Sequence, residues 1–279
     1  MYQTKKASRI ISFLVLVILA VAFVAPVFIV LMNSFKDKFS IASDEAFNFP
    51  TADTFVGLSN YTGGVQKTGY WDAFGYSLYI TIFSVVVILL FTSMTAWYIT
   101  RVKSWYSSTL FSVLIFSMVV PFQMVMFPMS KLANMLHLDT PTGLVVLYLG
   151  FGAGQAVFLF SGFIKSIPIE LEEAAMIDGC NPIQGFFYVV FPILKPISIT
   201  VAILDTMWIW NDYLMPDLVI GSDYRTVPIA VQYLQGGYGS KDMGAMMAVL
   251  VLSIIPVVLF YLSCQKYIVK GMVAGAVKG

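Results

Sequence analysis

"ELEEAAMIDGCNPIQGFFYVVFP", Glu170 to Pro192, is a short charged and glycine-punctuated stretch set between long apolar runs. Pro168 suits the first turn of a helix, and Glu170, Glu172 and Glu173 complement the positive end of its dipole. Gly179 is placed as a C-terminal stop, and Asn181-Pro182 opens a second helix ending near Pro192. From 168 to 178 the first helix is about 16 Å long, too short to cross a bilayer, so it lies against something. Ala174 and Ala175 leave a shallow surface where another backbone can come close, and Met176 and Ile177 add adaptable apolar contacts. On spacing alone the segment serves equally well as an interfacial helix that links two spans.

The rest of the chain says what it links. Of 279 residues, 59% are hydrophobic and 11% charged, with a mean hydropathy of +0.84. An ordinary soluble domain carries about 25% charged residues, so lipid is the expected solvent. Six apolar stretches are long enough to span: 10–33, 76–99, 107–128, 142–163, 196–216 and 244–264. Lys5, Lys6 and Arg9 precede the first, and Ala20-Val21-Ala22 looks like a signal-peptidase site. The apolar run continues to Met32, however, too long for a signal segment, so an uncleaved first span is expected.

Basic residues orient the spans. With the N-terminus inside, Lys5, Lys6, Arg9, Arg101, Lys103, Lys165, Lys195, Lys266, Lys270 and Lys278 are cytosolic. The outer side then holds only Lys36, Lys38, Lys67, Lys131, Arg225 and Lys241, so both termini are expected in the cytosol. The segment 34–75 is rich in turn residues and is expected to fold over the mouth of the bundle. The organisation expected is an N-terminal span with its outer loop (1–70), a transmembrane domain (71–265) with the charged segment at 164–195, and a cytosolic tail (266–279).

Span five, "PISITVAILDTMWIWNDYLMP", holds the acids that lie within predicted spans, Asp205 and Asp212. With Trp208 they are spaced i, i+3, i+7 and so share one helical face. A carboxylate near mid-bilayer costs at least about 2.5 kcal/mol and so faces the bundle interior or a wet cavity. An aromatic face beside acceptors suits a sugar, so Asp205, Trp208 and Asp212 are expected to line a pathway, with Asn211 and Tyr213 beside them. Three other roles stay open: Asn211 bonding a carbonyl in its own bundle, Trp210 and Tyr213 in an aromatic belt, and Asp205 paired within the protein. The predicted spans carry no Lys or Arg as counter-charge for an anion, which leans toward a neutral solute.

Other chemistry is missing. The glycines of "LGFGAGQAVF" (149–158) carry no GK[ST] and are expected to allow close helix packing. No basic tract suggests nucleic acid, and Cys180 and Cys264 suggest neither a disulfide framework nor a metal site. His137 is expected as a surface histidine and the Asn60-Tyr61-Thr62 sequon as a loop accident. No catalytic, cofactor or metal residues are expected.

Glu173-Ala174-Ala175, three residues, Gly179, nine residues and Val189-Val190-Phe191-Pro192 resemble the EAA loop of ABC importer membrane subunits. The family pattern is EAA, three residues, G, nine residues, I-x-L-P; Val189 and Phe191 depart from it by apolar swaps. The segments 23–36, 119–146 and 210–216 and the tail "QKYIVKGMVAGAVKG" (265–279) are similar to the carbohydrate branch, in particular to the second permease of maltose-type transporters. The resemblance implies an all-α integral membrane protein of six transmembrane helices, the type I importer permease fold, in a prokaryotic inner membrane. It implies that Glu173, Ala174, Ala175, Met176, Ile177, Asp178, Gly179 and Pro192 belong to a coupling segment that docks on an ATPase, with the tail 271–279 also touching the ATPases. The implied partners are a homologous second permease, two ATP-binding subunits holding ATP and Mg, and an extracytoplasmic sugar-binding protein. A glycerol phosphate importer is the nearest alternative, and an ion-coupled secondary transporter using Asp205 and Asp212 is the alternative of another class.

Overall fold

The computed structural model describes the backbone of residues 6–234 and 242–276 and the side chains of 8–43, 45–234 and 242–265. The described residues are helical apart from connecting segments and one antiparallel bridge between Lys36 and Phe55. In order they form α1 (Lys6–Asn33), α2 (Lys38–Ala42), a 3₁₀ turn (Asp44–Phe47), α3 (Ser59–Thr68), α4 (Tyr70–Arg101), α5 (Trp105–Val119), α6 (Phe122–Met135) and α7 (Pro141–Ile164). There follow α8 (Glu170–Ile177), α9 (Pro182–Gly185), a π turn (Phe186–Val190), α10 (Phe191–Ile193), α11 (Lys195–Asn211), α12 (Leu214–Val219), α13 (Val227–Tyr233) and α14 (Met243–Ala276).

Four helices are long and apolar enough to cross a membrane, Ser8–Asn33, Tyr70–Arg101, Pro141–Ile164 and Met243–Gln265, and six spans result if each of two bent pairs is counted as one. The stretch 107–128, expected as a single span, is broken: α5 and α6 meet at 108°. Pro121 is the cause, because it disfavours helical backbone at Val120, which is extended at ψ 114°. The stretch 196–216 is also not one helix. α11 ends at Asn211, and at its other end it makes a 76° angle with the run Pro182–Ile193.

The chain divides into two compact units. One comprises 1–71 and 230–256. Its α1 is apolar throughout, and no part of its most hydrophobic window is buried against the rest of the chain. Beyond α1 the backbone is tied by side chains. Lys36, 1% exposed, donates to the carbonyls of Glu45 (2.8 Å) and Asn48. Asn60 donates to the carbonyls of Ser34 and Lys36 at 2.9 and 2.7 Å. The sequon expected in a loop is therefore in the first turn of α3, with its amide engaged. Asp37 caps α2, and the Ser40 hydroxyl bonded to it holds its carboxyl below the usual carboxylate range.

The other unit comprises 72–229 and 257–279. Its core is built from Ile88, Tyr148, Phe160, Ile164, Phe186, Val190 and Leu194, all fully buried. Gly152 and Gly154 bear out the packing role expected of the glycine run. A Cβ on Gly154 would fall 2.5 Å from the Leu114 carbonyl oxygen, so α5 and α7 pack at a distance only glycine permits.

Candidate functional site

The first helix of the charged segment begins two residues later than expected. α8 starts at Glu170, with Pro168 outside it and Ile169 at the N-cap, so the helix is about 12 Å long. It ends as its sequence requires. The Gly179 N–H donates to the Met176 carbonyl (3.1 Å) and the Cys180 N–H to the Ala175 carbonyl (3.0 Å), the paired bonds of a Schellman motif. Gly179 has φ +88°, and a Cβ there would meet nothing within 4 Å, so its constraint is backbone conformation and not space. Asn181 then opens α9 with a reciprocal capping box to Gln184 and Pro182 in the first turn.

One face of α8 is anchored. Glu172, 9% exposed, accepts hydrogen bonds from the Trp97 indole Nε1 and the Arg101 Nε, both at 2.8 Å. Arg101 also donates to the Ile167 carbonyl at 3.0 Å, and the Trp97 ring lies 5.2 Å from that of Phe186 in the π turn. The last turns of α4 therefore hold both helices of the segment. Ala175, 7% exposed, faces inward with Glu172. Glu173, Ala174, Met176, Ile177, Asp178 and Gly179 are exposed, Ile177 at 86% and Met176 at 53%, and Pro192 is exposed in α10. Sequence reading treated Glu172 only as a dipole partner. Its role depends on Trp97 and Arg101, which lie one helical turn apart at the end of a distant helix.

Within span five, α11 stops at Asn211. Asp212 is the C-cap, with ψ 123°, and its carboxylate accepts from the N–H groups of Leu214 (3.0 Å) and Met215 (3.4 Å) to start α12. Its other oxygen accepts from the Tyr148 hydroxyl at 2.9 Å. The Tyr148 ring meets that of Trp208 edge-on at 5.4 Å, and Trp208 also lies over Gly152, one turn along α7. Tyr148, Trp208 and Asp212 thus form one cluster, with Trp208 38% exposed. Tyr148 carried no signal in a run of apolar residues.

Asp205 lies a turn earlier on α11, 2% exposed, with Oδ2 lacking a hydrogen-bond partner. Asn211 donates to the Met207 carbonyl of its own helix at 2.7 Å, the role left open for it. Tyr213 donates to Asp217 at 3.1 Å, and Trp210, 6% exposed, packs edge-on against Phe74. Burial at that level makes Trp210 a core residue and not part of an aromatic belt. His137 is exposed in the turn after α6, with φ +54°.

Residues 88–274 match the model of the family described as binding-protein-dependent transport system inner membrane component. The chain belongs to that family: it is a multi-pass membrane permease subunit, and the resemblance to importer permeases is borne out. It is 40% identical over 263 residues to the "Probable starch degradation products transport system permease protein AmyC" of Thermoanaerobacterium thermosulfurigenes, covering 94% of each chain. It is 34% identical to the multiple sugar-binding transport system permease protein MsmG of Streptococcus mutans, over 100% of both. To the melibiose/raffinose/stachyose import permease protein MelC of Bacillus subtilis it is 31% identical over 98% of both. Its fold matches a chain from the crystal structure of a bacterial ABC transporter involved in the import of the acidic polysaccharide alginate. The TM-score is 0.80, at 21% identity, with 96% of this chain and 99% of that one covered.

Proposed function

We propose that the chain forms half of the translocation pore of an ATP-driven importer for a sugar, an oligosaccharide by the substrates of its named relatives. The observation that carries the coupling is the build of α8: one face anchored through Glu172 to α4, the other presenting Ala174, Met176 and Ile177 to a partner. A helix so tied cannot move alone, so a push on its outer face is passed to a membrane-crossing helix. The partners are two ATP-binding subunits that hold ATP and Mg, a homologous second permease, and an extracytoplasmic sugar-binding protein. No ATP is hydrolysed on this chain.

In this reading the bent pairs each count as one of six spans in a prokaryotic inner membrane, and both termini are cytosolic. The chain comprises the first span and its outer loop (1–70), the pore-forming domain (71–265) and the tail (266–279). Side chains of the tail lie outside the described residues. Sugar passes Trp208, whose exposed ring face stacks on the apolar side of a pyranose while Asp212, held in place by the buried Tyr148 hydroxyl, accepts hydrogen bonds from its hydroxyls. Asp205, Asn211 and Tyr213 complete the pathway. The relatives favour neither glycerol phosphate import nor ion-coupled secondary transport.

The test is a mild-detergent pull-down from native membranes with mass spectrometry. An ATPase and a second permease that are recovered with the wild type and lost with Gly179→Asp support the assignment. Recovery of the chain alone or as a homodimer would sink it.

A further inference from the structure

Three helix ends border an open cavity that neither the coupling segment nor the pathway uses. It measures about 580 Å³ and is lined by Thr100 at the end of α4, Lys103, Ser104 and Trp105 at the start of α5, and Ser161 and Lys165 at the end of α7. No Asp or Glu lines it, and neither lysine is in an ion pair among the described residues. The first turn of α5, a 15-residue helix, contains no acidic residue, and its N-cap is the neutral Ser104 hydroxyl, which accepts from the Ser107 N–H at 3.1 Å. Ser161, 2% exposed, lines this cavity with a buried Oγ that has no hydrogen-bond partner. Lys165 Nζ lies 6.0 Å from the centroid of the Phe111 ring, which also lines the cavity, and a buried hydroxyl left unsatisfied beside two ammonium groups without a carboxylate partner asks for an anionic acceptor.

The surroundings say which anion. α4 and α7 both reach membrane-crossing length, so the cavity at their ends lies at headgroup level whichever leaflet it faces. Trp105 (80% exposed) and Tyr106 (55%) mark that level as interfacial aromatics do. A second hollow continues from the first along α5, lined by Ser108, Thr109, Ser112, Val113 and Phe116, the last two 59% and 67% exposed. A cationic, hydroxyl-lined head that runs into an apolar track has the two-part shape of a phospholipid, not of a free anion. We infer that this cavity is a binding site for an anionic phospholipid, its phosphate held by Lys103, Lys165 and the Ser161 hydroxyl and one acyl chain laid along Val113 and Phe116.

The experiment is native mass spectrometry of the delipidated full-length chain in detergent micelles, titrated with phosphatidylglycerol or phosphatidylcholine. A lysine at an anionic surface contributes about fivefold in affinity, so the pair gives phosphatidylglycerol an advantage of about 25-fold. Lys103→Gln with Lys165→Gln brings the two lipids level, Ser161→Ala weakens phosphatidylglycerol by a smaller factor, and Lys131→Gln, on the exposed face of α6, changes nothing. Both lysines are exposed, so the double variant keeps the melting temperature of the wild type. Retention of the preference by the double variant overturns the site. Displacement of phosphatidylglycerol by millimolar inorganic phosphate shows a free-anion site instead. Loss of the preference when the co-purifying subunits are present shows that the surface is a protein contact.

Discussion

Arg101 and Glu172, 71 residues apart, form an ion pair of 2.7 Å in which both side chains are largely buried. Its geometry makes the last turn of α4 and the first turn of α8 one mechanical piece, because the same guanidinium also bonds the Ile167 carbonyl that precedes α8. Hydrogen bonds to charged groups contribute about 1.5–3 kcal/mol each, so the tether is strong relative to the packing of an eight-residue helix.

Glu172→Gln keeps an acceptor for Trp97 and removes the charge that holds Arg101. Transport by reconstituted complex is expected to fall at least about tenfold, the equivalent of about 1.4 kcal/mol, while subunit association persists. Vesicle uptake measured beside ATP hydrolysis checks this, since loss of uptake with continued hydrolysis separates a broken tether from a missing partner. Uptake equal to wild type would mean that α8 does not drive α4.

Gly179 is conformationally strained for other residues but spatially open. Gly179→Ala is expected to destabilise the segment by about 1–2 kcal/mol, and Gly179→Asn by less, because Asn tolerates positive φ. Recovery of the ATPase in a pull-down should rank glycine first, then asparagine, then alanine. Equal recovery for all three would remove the backbone argument.

Tyr148→Phe deletes the hydroxyl bonded to Asp212 and leaves the ring against Trp208. A rise in KM for uptake of about three- to tenfold is expected, from loss of a charge-assisted bond. Trp208→Ala should cost more, through loss of the stacking surface. Unchanged concentration dependence in both variants would move the pathway away from this cluster.

Gly154→Val places a side chain against the Leu114 carbonyl, whereas Gly150→Ala points into open space. The first is expected to cost about 1–3 kcal/mol and lower the yield of folded protein, and the second to be nearly silent. Thermal unfolding in detergent distinguishes them. The order would reverse if α5 and α7 packed differently.

Lys36→Met leaves the Glu45 and Asn48 carbonyls without their ammonium donor. Each lost partner costs about 1–3 kcal/mol. The segment 37–57 should become sensitive to protease in oriented vesicles, with α1 intact; a resistant loop would show that the ammonium is dispensable.

Local physics was enough to read several features from residue order. Apolar runs long enough for a bilayer, the glycine stop at 179, the Asn181-Pro182 helix start and the close approach at Gly154 all depend on neighbours in the chain or on a missing side chain. The same reading extended span five through Asp212, because periodicity cannot show that Asp212 folds back to cap Leu214 and end one helix by starting the next. Pro121 was visible, but not that it would turn α5 and α6 through 108°. Only the tertiary structure decided that Glu172 and not Glu173 faces Arg101 and Trp97, and that Tyr148 reaches Asp212 from another helix. These contacts join residues more than sixty positions apart, and a pair energy of that kind exists only once packing has brought both partners out of water.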